Sequence, residues 1–280
     1  MALAAVLDRG DKVDARRHPL SGAVTSICFT EEINRIVQAY KKSQNHVLIR
    51  EMLDDPRLHF AIGLHPKVVS RLSDEKLQEA IESMRFLIHI FGRRFVGIGE
   101  VGLDYTSPEA TWDRQRRGLR RILMTLQEYL PGKVVVLHIR SAAGSSAAGR
   151  DAAELLRGMT AEGTLDRSQA LQLHHFLDDA DVVRRWRQVF PNTYFSIPGA
   201  VESAREAQME GLRTIDSDRL LLETDSGATR SMKVVTQRPL SMPSDVHRVA
   251  EVVARILFKS PQQVLRSTTR NAERLFLGRE

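Results

Sequence analysis

Short runs of apolar residues alternate with longer amphipathic segments along most of the chain. Seven of these runs have the length of β-strands, and several are apolar almost throughout, as in strands that are covered on both faces. They are Ala23–Phe29, Leu58–His65, Phe95–Tyr105, Val134–Arg140, Ala170–Phe176, Thr193–Pro198 and Leu220–Asp225. Segments with helical periodicity lie between them, among them Asp74–Phe91, Trp112–Leu130, Ala152–Met159 and Val182–Val189. Regular alternation of this kind predicts βαβ units and a parallel sheet.

The number of strands indicates a closed barrel. A degenerate first strand near Leu3–Leu7 would bring the count to eight, and 280 residues is an ordinary length for one barrel domain. We therefore predict an α/β protein with the (β/α)8 TIM-type barrel fold, a degenerate or truncated first strand, and a single domain over residues 1–280. An open doubly wound sheet is the alternative, but no glycine-rich phosphate loop follows an early strand.

Three further segments have distinct predictions. The segment Ser141–Gly149 is low in complexity and directly follows a strand, which predicts a mobile loop at the carboxyl end of that strand. Ser226–Ser244 contains basic residues and two prolines and predicts a long loop over the same end, where the active sites of barrels lie. The tail Ser244–Phe276 is helical in pattern, and Pro261 after Ser260 marks the start of its last helix.

Composition narrows the class of protein. The 42% hydrophobic and 27% charged residues are typical of a soluble globular protein, and no apolar run approaches the ~20 residues of a membrane span. The one cysteine, Cys28, excludes an internal disulfide framework and fits a reducing compartment. We expect Cys28 to be a small buried residue and the protein to be intracellular, either cytoplasmic or nuclear.

The net charge of +6 is concentrated in clusters of arginine. The densest run is Arg114–Arg121, and a second lies at Arg184–Arg187. Such patches attract polyanions, including nucleic acids, but solvated helix faces have the same composition. Taken alone, the clusters favour the interpretation as solvated faces.

Polar residues stand at or near the ends of the predicted strands. A buried strand leads to Glu100, and a buried unpaired carboxylate is costly, so this residue needs a cation, a metal ion or a protonating environment nearby. Singly, each such residue has a structural explanation, for example a core hydrogen bond of His138 or a cap at Asp225. Together, at the one mouth where barrel strands end, they suit Zn²⁺, Mn²⁺ or Mg²⁺. The set is His65, Glu100, Asp104, His138, His174 or His175, and Asp225.

Six short motifs extend this pattern over most of the chain from about Ala23 onward. They read Gly63-Leu64-His65-Pro66, Gly99-Glu100-Val101-Gly102-Leu103-Asp104-Tyr105, Leu137-His138-Ile139-Arg140, His174-His175-Phe176, Leu221-Leu222-Glu223-Thr224-Asp225 and Thr268-Thr269-Arg270-Asn271-Ala272-Glu273-Arg274-Leu275-Phe276. In this order they resemble the TatD-type metal-dependent nucleases of the amidohydrolase superfamily. The second and fifth motifs are specific at barrel spacing, and we expect the last to be structural.

The resemblance implies roles for individual residues. Glu100 resembles the carboxylate shared by two metal ions, and His138 and His174 resemble the histidines of the second metal site. Asp225 resembles the ligand and general base of the first site, so that Asp225 and Glu100 are the expected catalytic residues. The choice of His174 over His175 follows the family register only. The implied cofactor is a divalent metal (Mg²⁺, Mn²⁺ or Zn²⁺), with one or two ions per chain.

Three residues are expected to contact the substrate. His65 and Arg140 stand near the same mouth, and the guanidinium of Arg140 suits bidentate binding of a phosphate. Asp104 is the third expected substrate contact. A core hydrogen bond of His65 and a structural ion pair of Arg140 are the alternative interpretations.

The chain departs from the family pattern in two places. The family begins with a strand that carries His-x-His, and aligning Leu7-Asp8-Arg9 with the residues that follow it puts Ala4 and Val6 at the histidine positions. Neither side chain can bind a metal, so we expect weaker catalysis. The alternative is that the chain is a truncated gene product whose true first strand lies upstream. Near the last Asp, Gly227-Ala228 replaces the usual Pro-Tyr pair.

These observations predict a metal-dependent hydrolase that cleaves the phosphodiester bonds of DNA with metal-activated water, as a deoxyribonuclease or exonuclease. DNA is the expected partner, and no membrane association is expected. One alternative is a catalytically impaired barrel of the same type that binds nucleic acid or a protein partner without turnover. Another is a hydrolase of small esters or amides, because fold does not fix substrate.

Overall fold

All seven predicted strands are present in the computed structural model, which describes residues 21–42, 47–142, 145–225 and 243–279. They are β1 (Ala23–Ile27), β2 (Leu58–Ile62), β3 (Phe95–Asp104), β4 (Val134–Arg140), β5 (Leu171–His174), β6 (Thr193–Ile197) and β7 (Leu220–Leu222). Each strand lies within its predicted run, and β4 has the predicted bounds. The predicted first strand near Leu3–Leu7, with Ala4 and Val6, lies outside the described residues, as does most of the predicted loop Ser226–Ser244.

Ten α-helices alternate with these strands in the described ranges. They are α1 (Thr30–Lys42), α2 (Val47–Asp54), α3 (Pro66–Val69), α4 (Asp74–Phe91), α5 (Trp112–Thr125), α6 (Ala147–Ala161), α7 (Ala180–Val189), α8 (Glu206–Thr214), α9 (Val246–Ile256) and α10 (Pro261–Leu277). Helix α4 has the predicted bounds. Helix α10 begins at Pro261 as predicted, because the Ser260 hydroxyl accepts from the Gln263 amide and Gln263 closes a capping box.

The loop predicted at Ser141–Gly149 is wrong at its carboxyl end. Helix α6 begins at Ala147 and takes in the last residues of the segment. The amide of Ala147 donates to the Ser145 hydroxyl, and the amide of Ala148 donates to the Ser141 hydroxyl. These serines satisfy amide groups that the first helical turn leaves without a partner, so a sequence of low complexity still supports a helix.

The described chain divides into two compact units. The amino-terminal unit contains Val24–Gln172 and Val189–Asn192, and the carboxyl-terminal unit contains Leu173–Gln188 and Thr193–Glu280. In the first unit the strand order is β1-β2-β3-β4, and in the second β6 lies next to β7. The pairs β2–β3, β3–β4 and β6–β7 are parallel. Consecutive parallel neighbours joined by helices are the arrangement of a (β/α) barrel.

Apolar side chains cover the strands in both units. Phe60 of β2 stacks on Phe91 of α4 with ring centroids 4.2 Å apart, and Phe195 of β6 packs edge-on against Phe176. Cys28 is 3% exposed, as predicted. None of the described helices is long and apolar enough to cross a lipid bilayer.

The last motif of the sequence has a structural role, as predicted. Asn271 of α10 is 2% exposed, and its side-chain amide donates to the backbone carbonyls of Ser217 and Leu220, each at 2.8 Å. These two bonds fix the start of β7 against the last helix.

Helix α5 carries the densest arginine cluster, and most of its charges are paired within the protein. Its guanidinium groups contact acidic or amide side chains of neighbouring helices: Arg114 contacts Asp74, Arg116 contacts Asp151, Arg120 contacts Glu162 and Arg121 contacts Gln78. Paired charges on a helix face are what a solvated surface requires. The arrangement favours that interpretation of the cluster over a dedicated polyanion surface.

Candidate metal centre

A bulge in β3 aims the side chain of Glu100. Gly99 pairs with Val136 and Val101 pairs with Leu137, so Glu100 is left over in the register with β4. An extra residue of this kind redirects a side chain that regular pairing would send elsewhere. The carboxylate is 13% exposed, and Oε2 lies 3.5 Å from Nδ1 of His138.

Two glycines allow the backbone to approach closely at this point. A Cβ atom at Gly63 would lie 2.4 Å from the carbonyl carbon of Gly99, and a Cβ at Gly102 would lie 2.0 Å from the carbonyl oxygen of His138. Gly102 also has a φ of +152°, which disfavours other residues. The glycines of the first two motifs therefore let β2, β3 and β4 come together beside Glu100.

His138 of β4 is held by Asp104 of β3. The ring nitrogen Nε2 lies 3.2 Å from Oδ2 of Asp104, which is 0% exposed. An ionised carboxylate only accepts hydrogen bonds, so Nε2 carries the hydrogen, and in the neutral ring the lone pair is on Nδ1, the nitrogen that faces Glu100. A carboxylate that fixes the tautomer of a histidine in this way is the usual support of a metal-binding imidazole.

The Asp104 carboxylate is itself fixed on both oxygens. Oδ1 accepts from the backbone amide and the hydroxyl of Thr106, and Oδ2 also lies 3.2 Å from Nζ of Lys67. Burial alone would raise the pKa of Asp104, but hydrogen bonds from His138 and Thr106 outweigh it and hold the pKa well below its usual range. The group is therefore an anion at neutral pH. The side chain of Gln115 bonds the backbone N–H and C=O of Asp104 as well.

His65 lies beside His138 and is neutral at pH 7. The two ring centroids are 4.3 Å apart, and Phe29 stacks on the other side of His65 at 5.3 Å. Burial, reinforced by His138, lowers the pKa of His65 to about 4. Its Nδ1 accepts from the backbone amide of Lys67 at the start of α3, so the ring hydrogen is on Nε2. In this tautomer His65 offers a hydrogen-bond donor.

In the carboxyl-terminal unit, Glu223 holds His174. The ring nitrogen Nδ1 lies 3.1 Å from Oε2 of Glu223, and Nε2 lies 3.9 Å from Oδ1 of Asp225. The other oxygen of Glu223 accepts from the backbone amide of His175 at 3.0 Å. Glu223 thus supports His174 as Asp104 supports His138, and the opposite ring nitrogen of His174 faces Asp225.

Each unit contains a cluster of side chains of the types that bind divalent metals. The ligand atoms of His65, Asp104 and His138 all lie within 4.8 Å of one another, and so do those of a second set made of His174, His175 and Glu223. The shortest contacts in the two sets, His138 to Asp104 and His174 to Glu223, are the hydrogen bonds that orient the imidazoles. The ring nitrogens that face Glu100 and Asp225 are therefore the ones suited to an ion. Nitrogen and oxygen donors of this mixture suit Zn²⁺ and Mn²⁺.

Comparison with known proteins decides the family. Residues 12–277 match the family described as TatD related DNase. The chain belongs to the TatD-related DNase family. The mouse protein named "Putative deoxyribonuclease TATDN3" is 31% identical over 267 residues, which cover 94% of this chain and 80% of that protein. The Bacillus subtilis (strain 168) protein named "Uncharacterized metal-dependent hydrolase YabD" is 28% identical over 256 residues, 88% of each chain.

The fold is also that of a solved structure. The crystal structure of an uncharacterized amidohydrolase from Saccharomyces cerevisiae superposes with a TM-score of 0.72 at 18% identity, over 98% of this chain and 92% of that one. At this identity the likeness shows the fold alone. It confirms the predicted TIM-type barrel, and the family match confirms the resemblance seen in the TatD motifs.

The predicted site residues of this TatD chain fall into two groups. Glu100, His138 and Asp104 are in contact within the amino-terminal unit. His174 and Asp225 face each other within the carboxyl-terminal unit. Their roles as metal ligands stay predictions. The prediction of a single domain over residues 1–280 also stays a prediction.

The expected substrate contacts differ in accessibility. Arg140 is exposed at the end of β4, and within the described ranges its guanidinium has no ion pair. His65 is 8% exposed. Asp104 has no exposed surface, and both of its carboxylate oxygens contact protein groups, so it is poorly situated for a substrate.

Sequence reasoning missed three residues of the site. Glu223 belongs to the fifth motif without an expected role, although its place two residues before Asp225 is a signal that both lie at the same strand end. Lys67 follows His65-Pro66 directly and contacts Asp104. Gln115 gave no signal, because a polar residue on an arginine-rich helix is unremarkable in sequence and its burial comes only from tertiary packing.

Proposed function

We propose that the protein is a metal-dependent hydrolase that cleaves the phosphodiester bonds of DNA. One observation carries the proposal: each unit contains an imidazole that is fixed by a carboxylate on one ring nitrogen and turned toward an acid with the other. The pairs are Asp104 with His138 and Glu223 with His174. Each of these two pairs removes a carboxylate from water, which costs desolvation free energy, and a bound metal ion would offset that cost.

The proposed ligands are Glu100 and His138 from one unit and His174 and Asp225 from the other. This assignment rests on the family motifs and on the chemistry of the donors, and it allows one or two ions per chain. The acids have little solvent around them, with Glu100 13% and Asp225 11% exposed, so a cation would relieve the cost of their burial.

A divalent ion in such a site polarises a phosphoryl oxygen and lowers the pKa of bound water toward neutrality. Asp225 is the proposed general base, which takes the proton of the attacking water and orients its lone pair toward phosphorus. Glu100 and Asp225 are thus the proposed catalytic carboxylates. The hydrogen on Nε2 of His65 is available to a phosphate oxygen.

Arg140 and Lys67 supply positive charge for a polyanionic substrate. Arg140 is exposed, and the Lys67 side chain is 41% exposed while Nζ contacts Asp104. Arg140 offers two parallel N–H groups to one phosphate. Because Asp104 is fully buried, we assign it a positioning role for His138 and Lys67 in place of the substrate contact expected from the sequence.

The test is a panel of substrates in Mn²⁺: single-stranded DNA, duplex DNA, and an activated ester, amide or lactone of low molecular weight. The proposal expects cleavage of DNA that stops when a chelator is added. Cleavage of the small substrates with none of DNA would assign the hydrolase to another class. Binding of DNA without cleavage would support the impaired barrel, for which the absence of His-x-His from the sequence is the specific argument.

A further inference from the structure

We infer that His175 is a metal ligand that binds, together with Asp225, the ion in the carboxyl-terminal unit. The sequence argument treated His174 and His175 as alternatives, whereas the structure directs both imidazoles to the same carboxylate. The inference rests on the proposed role of Asp225 as a ligand. It adds a ligand that the family motifs do not assign.

The distances around Asp225 carry the inference. Nδ1 of His175 lies 3.3 Å from Oδ2 of Asp225, and Nε2 of His174 lies 3.9 Å from Oδ1. In a tetrahedral site with bonds of about 2.1 Å, two ligand atoms are about 3.4 Å apart. The contact between His175 and Asp225 therefore has the spacing of two ligands on one ion, whereas His174 contacts the other oxygen of Asp225 at a longer distance.

The backbone explains why two adjacent histidines face one side. Neighbouring side chains of a strand point in opposite directions, so His174 and His175 would diverge if β5 continued. His175 instead follows the end of β5 with a φ of +52°. Asp225 has a φ of +50°.

These backbone conformations are uncommon and unfavourable. Of the described residues other than glycine, three have a positive φ, namely His175, Asp225 and Phe258. The left-handed conformation costs such residues on the order of 1 kcal/mol or more. Two of these three residues, His175 and Asp225, have side chains that contact each other. In both, the unfavourable backbone conformation occurs at a residue whose side chain is of a type that binds metals.

Glu223 fixes both histidines at once. Oε2 holds the ring of His174, and Oε1 holds the backbone amide of His175. Nδ1 of His175 is itself 3.9 Å from Oε1 of Glu223. The carboxylates of Glu223 and Asp225 are 12% and 11% exposed, so two negative charges share a small volume with little water. A divalent cation between the imidazoles and Asp225 offsets that charge.

The ligand set predicts the kind of ion and its access. An imidazole paired with a carboxylate favours Zn²⁺ or Mn²⁺ over Mg²⁺ and leaves further coordination positions open. His175 is more exposed than His174, at 27% against 11%, so its side of the site faces solvent.

The experiment titrates the metal-free full chain with Zn²⁺ by calorimetry and records the visible absorption of the Co²⁺ form, which reports the ligands directly. The test variants are His175→Asn and His175→Gly, because both residues tolerate a positive φ. His89→Asn, at an exposed histidine of α4, is the matched control. Thermal unfolding in chelator checks that each variant is folded.

We expect both His175 variants to bind one Zn²⁺ at least tenfold more weakly than the wild type and to change the Co²⁺ spectrum, with His89→Asn unchanged. Wild-type affinity and an unchanged Co²⁺ spectrum in the folded variants would overturn the inference, as would the absence of Zn²⁺ binding by the wild type. The DNA assay tests the proposed nuclease function independently of this inference. If the metal site depends on His175 but the protein does not cleave DNA, the inference holds and the nuclease proposal is rejected.

Discussion

His174 and Glu223 are 49 residues apart in the sequence, yet Nδ1 of the imidazole lies 3.1 Å from Oε2 of the carboxylate. The contact decides which ring nitrogen of His174 faces Asp225. Because Glu223 also accepts from the backbone amide of His175, one partly buried acid sets the geometry of two histidines. The same device recurs in the other unit between Asp104 and His138.

The first prediction concerns Glu223→Gln. Glutamine has one acceptor oxygen where Glu223 uses two, so the variant loses a bond to His174 or to His175. We expect Zn²⁺ or Mn²⁺ to bind about 10- to 100-fold more weakly, with activity partly restored by excess metal. Metal titration of activity measures the effect. Glu210→Gln, at an acid that is 61% exposed, is the control, and equal metal affinity in both variants would exclude the positioning role.

The second prediction concerns the substrate phosphate. Arg140→Ala should weaken DNA binding and reduce the slope of log Kd against log salt concentration by about 1, because one phosphate contact is lost. Arg157→Ala removes a guanidinium that is 63% exposed and paired with Glu154, and it should leave the slope unchanged. Fluorescence anisotropy with a labelled oligonucleotide at several salt concentrations gives both slopes. Identical slopes for the two variants would remove Arg140 from the interface.

The third prediction concerns the attachment of β7. Asn271→Ala leaves the carbonyls of Ser217 and Leu220 without their buried donor, so we expect the free energy of unfolding to fall by about 2 to 4 kcal/mol. Urea unfolding measures the change. Arg270→Ala, at the exposed neighbour on α10, should cost under about 0.5 kcal/mol. A loss at Asn271 no larger than the loss at Arg270 would contradict the structural role of the motif.

The fourth prediction concerns pH. Burial raises the pKa of Asp178 above its ordinary value in the folded protein. Above the pKa of the unfolded chain the folded state then binds more protons, so the free energy of unfolding falls as pH rises through the folded pKa. Asp178→Asn should therefore be more stable than the wild type at pH 7, and the difference should disappear in acid.

Asp166, whose pKa is shifted in the opposite direction, provides the control for that measurement. Hydrogen bonds from Ser168 lower the pKa of Asp166, so its contribution is present at neutral pH and is lost as pH falls through the folded pKa. Asp166→Asn should be less stable than the wild type at pH 7. Urea unfolding at pH 7 and pH 3.5 in chelator separates the two variants, and a change of the same sign in both would contradict the assignment.

The strands were predictable because each is an apolar run bounded by polar segments, and coverage on both faces leaves that signature in the sequence. The start of α6 was not predictable in the same way. Its amides bond to the hydroxyls of Ser141 and Ser145, and serine-rich segments of low complexity look like loops. Local hydrogen bonds thus changed a boundary that the hydrophobic pattern could not determine.

The candidate site also contains residues that were predictable from the sequence and residues that were not. Glu100 and His138 lie within β3 and β4, His174 ends β5 and Asp225 follows β7. Their assignment from the sequence depended on the motifs together with the strand pattern. The role of Glu223 was not predictable, because nothing in a sequence shows which histidine a carboxylate 49 residues away will fix. The choice between His174 and His175 followed only the family register, and the positive φ that turns His175 toward Asp225 is a feature of the fold that the sequence does not show.

The most direct test of the account is the rate of DNA hydrolysis by the purified protein in saturating Mn²⁺, compared with the Asp225→Asn variant and with the wild type in chelator. The account predicts degradation of DNA by the metal-loaded wild type, a loss of at least 100-fold in Asp225→Asn, and none in chelator. Intact DNA with the metal-loaded wild type, or equal rates in wild type and variant, would contradict it.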